Sequence, residues 1–289
     1  MSVQPSHHDA RTVLITGTST GIGRATALAL AAAGWRTIAT MRNPEQAEAL
    51  RAEAAKAGAE LDVRRLDVTD SEAIEREADY CRKTYGGLDA LVNNAGSAAV
   101  GSVEGLDMKD FRDAMEVNYF GVVAMTKAFL PLLRESRGKL ITISSVGGVV
   151  GQPFNEAYCA AKFAVEGFLE SLQPVAKSVD VGVHVIEPGA VSSEFVANAG
   201  IDAAGMLAAA GSYRPALSAY LERTTRQFAS ANAQKPEDVA EVVVDTLRAA
   251  SPAFRIQTSM WARDFVSTKI SDLDGHRVTS MTQGWVGMG

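Results

Sequence analysis

Apolar residues in this chain fall into short runs separated by longer segments with a three-to-four-residue beat. The runs cover 12–16, 37–41, 61–66, 88–93, 139–144, 182–186 and 254–258. They are rich in β-branched side chains and apolar on both faces, as strands inside a parallel sheet must be. Helical patterns lie between them. One starts at Asn43-Pro44, with asparagine as cap and proline in the first turn, and stops at Gly58. Others run over about 70–85 and 109–134, from near Ala157, and from near Pro236. Strand–helix alternation of this kind predicts an α/β fold. It has a doubly wound parallel sheet of about seven strands, right-handed crossovers and helices on both faces. We expect one domain over 1–289, with no repeat and no linker. The exception to regularity is 197–233, rich in Ala, Gly and Ser, which reads as a substrate lid or loop. The tail from 259 to 289 shows turn signals and no clear period, so no element is predicted there.

The first strand runs directly into TGTSTGIG and then an Ala/Leu helix. Gly17, Gly21 and Gly23 allow a sharp turn and a close approach to a pyrophosphate at the helix N-terminus, with Ser19, Thr20 and Ile22 between them. The strand and helix around the glycines supply the context that a glycine triplet alone lacks. A carboxylate at the end of the second strand would hydrogen-bond an adenosine ribose and select NAD. Met41 stands there, followed by Arg42, a cation able to pair with a 2′-phosphate. NADP is therefore expected over NAD; the bland reading of Arg42 is a solvated surface residue. Asp67, with Val68 beside it at the end of the third strand, is placed to meet an adenine edge, or else is a capping or surface aspartate.

Tyr158 and Lys162 stand four residues apart and share a helix face, with Ser145 thirteen residues before the tyrosine. An ammonium beside a phenol favours its ionised form. A serine hydroxyl facing the same point can hold a carbonyl or alcohol oxygen. This is equipment for moving a proton while a hydride moves to or from a nicotinamide. If the strand slipped by one residue, Ser144 would face the site instead; the spacing favours Ser145.

Composition adds exclusions. A net charge of −6 and scattered basic residues give no footprint for a nucleic acid. Two cysteines, Cys81 and Cys159, supply neither a disulfide framework nor metal-ligand spacing, so no metal is expected and a reducing, cytoplasmic setting is. The opening MSVQPSHHDAR lacks the apolar core of a signal peptide, and no run is long enough to span a membrane.

TGTSTGIG, Asn93-Asn94-Ala95-Gly96 after a strand, Asn118, Ser145 in ITISSVGG, YCAAK and Pro188-Gly189 come in an order and spacing that resembles the short-chain dehydrogenases/reductases. GQPFNEAYCAAKFAVEGFLESL and EPGAVSSEF resemble the branch containing 17β-hydroxysteroid dehydrogenase and photoreceptor retinol dehydrogenase. The resemblance implies a Rossmann-type fold and an oxidoreductase acting on CH–OH groups. Tyr158 is then the acid/base. Lys162 lowers its pKa and holds the nicotinamide ribose, and Ser145 orients the substrate oxygen. It implies that Asn118 opens the long helix for a proton-relaying water. Asn94, Ala95 and Gly96 then flank the adenosine ribose, and Pro188, Gly189, Val191 and Ser193 line the nicotinamide side. It also implies a homodimer or homotetramer built on the two long helices. Ala161 replaces a family serine, and Ser193 stands in for a threonine while keeping its hydroxyl. The alternative is a nucleotide-binding regulator that kept the fold without turnover, against which the complete Asn118–Ser145–Tyr158–Lys162 set argues.

Overall fold

The computed structural model of the chain describes residues 10–192, 202–228 and 233–287. Within them, β1 (Thr12–Thr16), β2 (Arg36–Met41), β3 (Leu61–Arg65), β4 (Ala90–Asn93), β5 (Lys139–Ile143), β6 (Gly182–Glu187) and β7 (Arg255–Gln257) form one sheet in the order β3-β2-β1-β4-β5-β6-β7. Every neighbouring pair is parallel. The chain leaves β1 toward β2 and β3, then returns to the other side of β1 with β4. Strand order therefore reverses between β1 and β4, and in such sheets the crevice beyond the carboxyl ends at that reversal is where ligands bind.

Two apolar layers cover the sheet. On one face α1 (Gly21–Ala32), α2 (Glu48–Lys56) and a later helix, Pro236–Arg248, bury Ala27, Leu30, Leu50, Val239 and Val243 against Val13, Ile15 and Val92. On the other, α3 (Ser71–Tyr85), a long helix over 108–136 and a third, Glu156–Lys177, bury Ile74, Met125, Phe129, Leu133 and Leu169 against Leu14, Leu91 and Leu140. The α3 cap is chemically explicit: Asp70 accepts from the Ala73 N–H, and Gly86 closes the helix in the left-handed conformation.

The long helix is not α-helical throughout. Its parts are α4 (Met108–Met115), a π turn over Glu116–Phe120, and α5 (Gly121–Ser136), and the Gly121 N–H reaches back to the Glu116 carbonyl to make the wide turn. The third helix is α6 (Glu156–Lys177).

Two expectations are corrected here. The part of 197–233 that is described is not an irregular loop. It holds α7 (Ala203–Ala209) and α8 (Arg214–Phe228). The tail is not elementless either. After α9 (Pro236–Arg248) and β7 come α10 (Met260–Ile270) and α11 (His276–Gln283). Ser259 caps α10 by accepting from the Ala262 N–H, a signal present in the sequence but masked by the weak apolar period that follows. These late helices and α8 build a third apolar cluster around Phe154, Leu217, Tyr220, Phe265 and Trp285.

Phe129 is fully buried in the layer shared by α5 and the sheet. Phe129→Ala should cost about 3–5 kcal/mol of folding stability, the usual range for emptying a packed aromatic site. The midpoint of urea unfolding measures it.

Candidate active site

The crevice at the strand reversal is laced by hydrogen bonds that start from Thr16, the last residue of β1. Its hydroxyl accepts from the N–H groups of both Asn94 and Ala95, each at 3.0 Å. The Asn94 amide returns the contact, donating to the carbonyls of Thr16 at 2.8 Å and Gly17 at 3.0 Å. The glycine turn and the turn after β4 are thus one unit. Gly17 sits at φ +71°, and a Cβ there would lie 2.8 Å from the Ala95 Cα. A Cβ on Gly23 would run into the Gly17 carbonyl and the Asn94 amide. Thr16 did not stand out in the sequence because a threonine closing a strand is ordinary; only its two backbone partners mark it.

Three further side chains gather beyond β5. Ser145 accepts from the Gly147 N–H at 3.0 Å, which leaves its own proton to be donated. Its hydroxyl hydrogen-bonds the Tyr158 phenol, and both side chains flank Gly147. Ser144 is buried and turned toward Glu166 and Gly148, so the strand register gives Ser145, not Ser144, to the site. Lys162 is buried and donates to the Ile143 carbonyl at 3.0 Å. Its Nζ and the Asn118 Oδ1 both border the open side of Gly96, so the glycine leaves room where they meet. Asn118 is fully buried in the π turn. Its amide donates to the carbonyls of Ser97 and Ala114, each at 2.9 Å, and its oxygen accepts from the Ser97 N–H at 3.2 Å.

Burial dominates the electrostatics. It pushes the Tyr158 phenol up to about 12, against a smaller downward pull from the Ser145 hydrogen bond. It pulls the Lys162 ammonium down to about 8, opposed by the charge of Glu166. The expected lowering of Tyr158 by Lys162 is therefore not the net effect in this structure. The ammonium lies 5.8 Å from the ring centre and bonds a carbonyl, and desolvation wins. Cys159 faces away into the core, where burial raises its thiol to about 11.

The remaining sequence candidates divide. Ser19 is exposed on the glycine turn, with Thr20, Gly21 and Ile22 leading into α1, whose first turn carries no acidic side chain. Arg42 is exposed just beyond β2, whereas Met41 is buried in the core. Asp67 accepts from the Thr69 N–H and hydroxyl, at 3.0 and 2.8 Å, as a turn-forming aspartate does. Val68 packs into the core against Gly121. The Pro188 carbonyl accepts from the Val146 N–H at 3.0 Å, tying the turn after β6 to the Ser145 loop. Gly189 gives Trp261 room, and Val191 is buried beside a bridge to Gln234. Ser193 lies outside the described residues.

A dinucleotide fits what is present. Its phosphates would meet a turn whose glycines admit close backbone approach and a helix start with no carboxylate to repel them. No group of three His, Cys, Asp or Glu side chains among the described residues is arranged to hold a metal, and no described helix is long and apolar enough to cross a membrane.

A doubly wound sheet with a glycine turn at this crevice is the frame of a dinucleotide-binding domain. Residues 11–204 match the short chain dehydrogenase family, and the chain belongs to it, an oxidoreductase of the type that works with a nicotinamide cofactor on alcohol groups. It is 35% identical over 274 residues to retinol dehydrogenase 8 of Homo sapiens, covering 92% of this chain and 86% of that one. It is 36% identical over 288 residues to 17-beta-hydroxysteroid dehydrogenase type 1 of Homo sapiens, covering 94% and 85%. Its fold matches a crystal structure of a short chain dehydrogenase/reductase from Burkholderia phymatum in complex with NAD. The TM-score is 0.76 at 24% identity, over 93% of this chain and 96% of that one.

Gly23→Ala should leave the sheet intact while displacing the glycine turn. Affinity for the nicotinamide cofactor should fall at least tenfold, about 1.4 kcal/mol or more. Fluorescence titrations with NADPH and with NADH, beside a far-UV spectrum, check both halves of the statement.

Proposed function

We propose that the chain is an NADP(H)-dependent oxidoreductase interconverting an alcohol and a ketone or aldehyde of a lipophilic substrate, with Tyr158 as acid/base. The convergence of Tyr158, Ser145, Lys162 and Asn118 beside the nucleotide crevice carries this reading. A bound nicotinamide supplies or accepts the hydride. The protein's part is the proton. A phenol held up to about 12 keeps its proton at neutral pH, which is the form that gives a proton to a carbonyl oxygen. The Ser145 hydroxyl orients that oxygen and bonds the phenolate as it forms. Lys162 adds positive charge nearby and holds the ribose hydroxyls. Asn118, in the π turn, leads a water toward Lys162 for reprotonation. Asn94, Ala95 and Gly96 flank the adenosine ribose. Asp67 and Val68 are assigned to the adenine side, and Pro188, Gly189, Val191 and Ser193 to the nicotinamide side.

NADP is preferred over NAD in this reading because Arg42 is exposed beyond β2 and Met41 offers no carboxylate. A lipophilic substrate is supported by the half-buried Met206 and Leu207 of α7, which pack with α8 and the aromatic cluster, and by relatives named for retinol and for 17β-hydroxysteroids. The segment 197–233 serves as the lid that selects it. The assembly is a homodimer or homotetramer on α4–α5 and α6, supported by the exposed Met108, Phe120, Phe163 and Val175. The two cysteines, free and buried, suit a reducing cytoplasm. The unit is a single oxidoreductase domain.

Tyr158→Phe should reduce turnover about 10²- to 10⁴-fold while NADPH affinity holds, since only the proton donor is removed. Steady-state rates over a panel of ketones, aldehydes and alcohols, with a cofactor titration, test it; near-normal kcat sinks the assignment.

Wild-type kcat/KM should favour NADPH over NADH, and Met41→Asp with Arg42→Ala should reverse the order. A wild-type preference for NADH means the end of β2 has been misread.

A further inference from the structure

One turn after Lys162 on α6 stands Glu166, a carboxylate only 4% exposed. Opposite it is Glu187, the last residue of β6, fully buried and directly before Pro188-Gly189. Arg255, on the neighbouring β7, lies between them. Its Nε donates to Glu166 at 3.1 Å, and the same atom is 3.5 Å from the Glu187 Oε1. Its Nη2 turns outward to the exposed Glu170 at 2.7 Å. Gln257 donates to the other Glu187 oxygen at 2.8 Å. One oxygen on each buried glutamate, Oε1 in both cases, has no hydrogen-bond partner.

With both carboxyls ionised, Glu187 would be a buried anion with no cation hydrogen-bonded to it, because Arg255 gives its hydrogen bonds to Glu166 and Glu170. Burying an anion without full compensation costs more than keeping its proton. The geometry says which carboxyl keeps it. Arg255 hydrogen-bonds Glu166 at 3.1 Å and stands farther, at 3.5 Å, from Glu187, whose side-chain hydrogen bond comes from the neutral Gln257 amide. Burial, and then the charge of Glu166, push Glu187 up to about 7. Burial also raises Glu166, but Ser144, Arg255 and Lys162 pull against it. Glu166 is in turn the acidic group whose charge supports the Lys162 ammonium. The other groups facing Lys162 are Tyr158 on its own helix, Asn118 from the π turn and the Ile143 carbonyl from β5. Those facing Glu187 are Arg255 and Gln257 from β7 and Glu166 from α6.

We propose that Glu166 is a positioning residue whose carboxylate sets the charge of Lys162, and that Glu187 keeps its proton beside it so that Arg255 stays paired with Glu166. The coupling belongs to the protein alone. Only its consequence for turnover rests on the role proposed above for Lys162.

The test follows the Lys162 ammonium by NMR on protein carrying ¹³C,¹⁵N-lysine, without cofactor or substrate, its signal assigned by its loss in Lys162→Arg. Glu166→Gln should move the Lys162 titration down by about one pH unit, the effect of losing a nearby opposite charge. Glu166→Asp, which keeps the charge, should hold it within a few tenths. Glu187→Gln mimics the protonated acid and should leave Lys162 near its wild-type value. Its signature lies elsewhere. A carboxyl whose folded pKa is raised stabilises the fold below its unfolded value, near 4.5, and loses that contribution as pH rises to about 7. Glu187→Gln should therefore flatten the fall in thermal stability between about pH 5 and 7 that the wild type shows. The alkaline limb of turnover should move with Lys162 in Glu166→Gln and stay put in Glu187→Gln. A Lys162 titration unmoved by Glu166→Gln overturns the proposal, as do equal shifts in both variants or an unchanged stability profile in Glu187→Gln. A protein that turned over no alcohol would defeat the preceding section instead, because the lysine titration and the stability profile are read without turnover.

Discussion

The site depends on the contact between the ends of β1 and β4. Parallel pairing sets Val13 against Ala90 and Ile15 against Val92, so the two strands end level. Both then break away from the sheet at the same height, which would strand several backbone groups at the bottom of a crevice. The Thr16 hydroxyl and the Asn94 amide satisfy four of them. That mutual bracing ties the glycine turn to the turn after β4 through the protein's own groups. It also explains why glycine is required: a Cβ at 17 or 23 would occupy the space through which the two turns touch. Pre-organisation of this kind spares a bound dinucleotide the ordering cost of the loop it meets.

A second constraint follows from burying charge. Lys162 is tied to the end of β5 through Ile143, so its position is fixed by the sheet rather than by its own flexible stem. Fixing it costs solvation, and its ammonium is weakened accordingly. The Tyr158 phenol suffers the same desolvation in the opposite sense and is strengthened as a proton holder. The two shifts differ in consequence: Lys162 is brought nearer to neutral pH, where it can change charge, while Tyr158 is moved away from it and keeps its proton. The acidic group behind α6 works by the same arithmetic, with burial setting the proton and geometry choosing the carboxyl.

The sequence carried the sheet well because buried parallel strands have few alternatives: seven predicted runs match seven observed strands to within two residues at each end. The exact spacing of Tyr158, Lys162 and Ser145 was legible for the same reason, since a helix face and a strand end leave little freedom. What could not be read depended on contacts distant in sequence. Glu166, Glu187 and Arg255 looked like ordinary members of a helix and two strands, and only the β6–β7 pairing makes them neighbours. The helices of 203–228 and 260–283 were missed because Ala, Gly and Ser blur the apolar period, and their order comes from packing on one another rather than from propensity. The Tyr158 shift was misjudged because spacing shows which charges are near but not how much water is lost.

The third apolar cluster joins these parts. Tyr220 of α8 is buried against Phe154 and hydrogen-bonded to Asn155, the residue that caps α6 two places before Ala157 and three before Tyr158. Trp261, Phe265 and Trp285 stack in sequence, with ring centres 5.0 and 5.6 Å apart, and Arg223 of α8 lies over Trp285. Trp261 in turn fills the space beside Gly189. α8 is thus anchored to the start of α6 through Asn155, and to the turn after β6 through the aromatic stack. A change in α8 reaches the site through those two anchors and through the packing on Val146. None of these is a hydrogen bond to a reacting group. In the proposed reading, variation in α7 and α8 therefore changes which carbonyl fits while Ser145, Tyr158 and Lys162 stay where β5 and α6 put them.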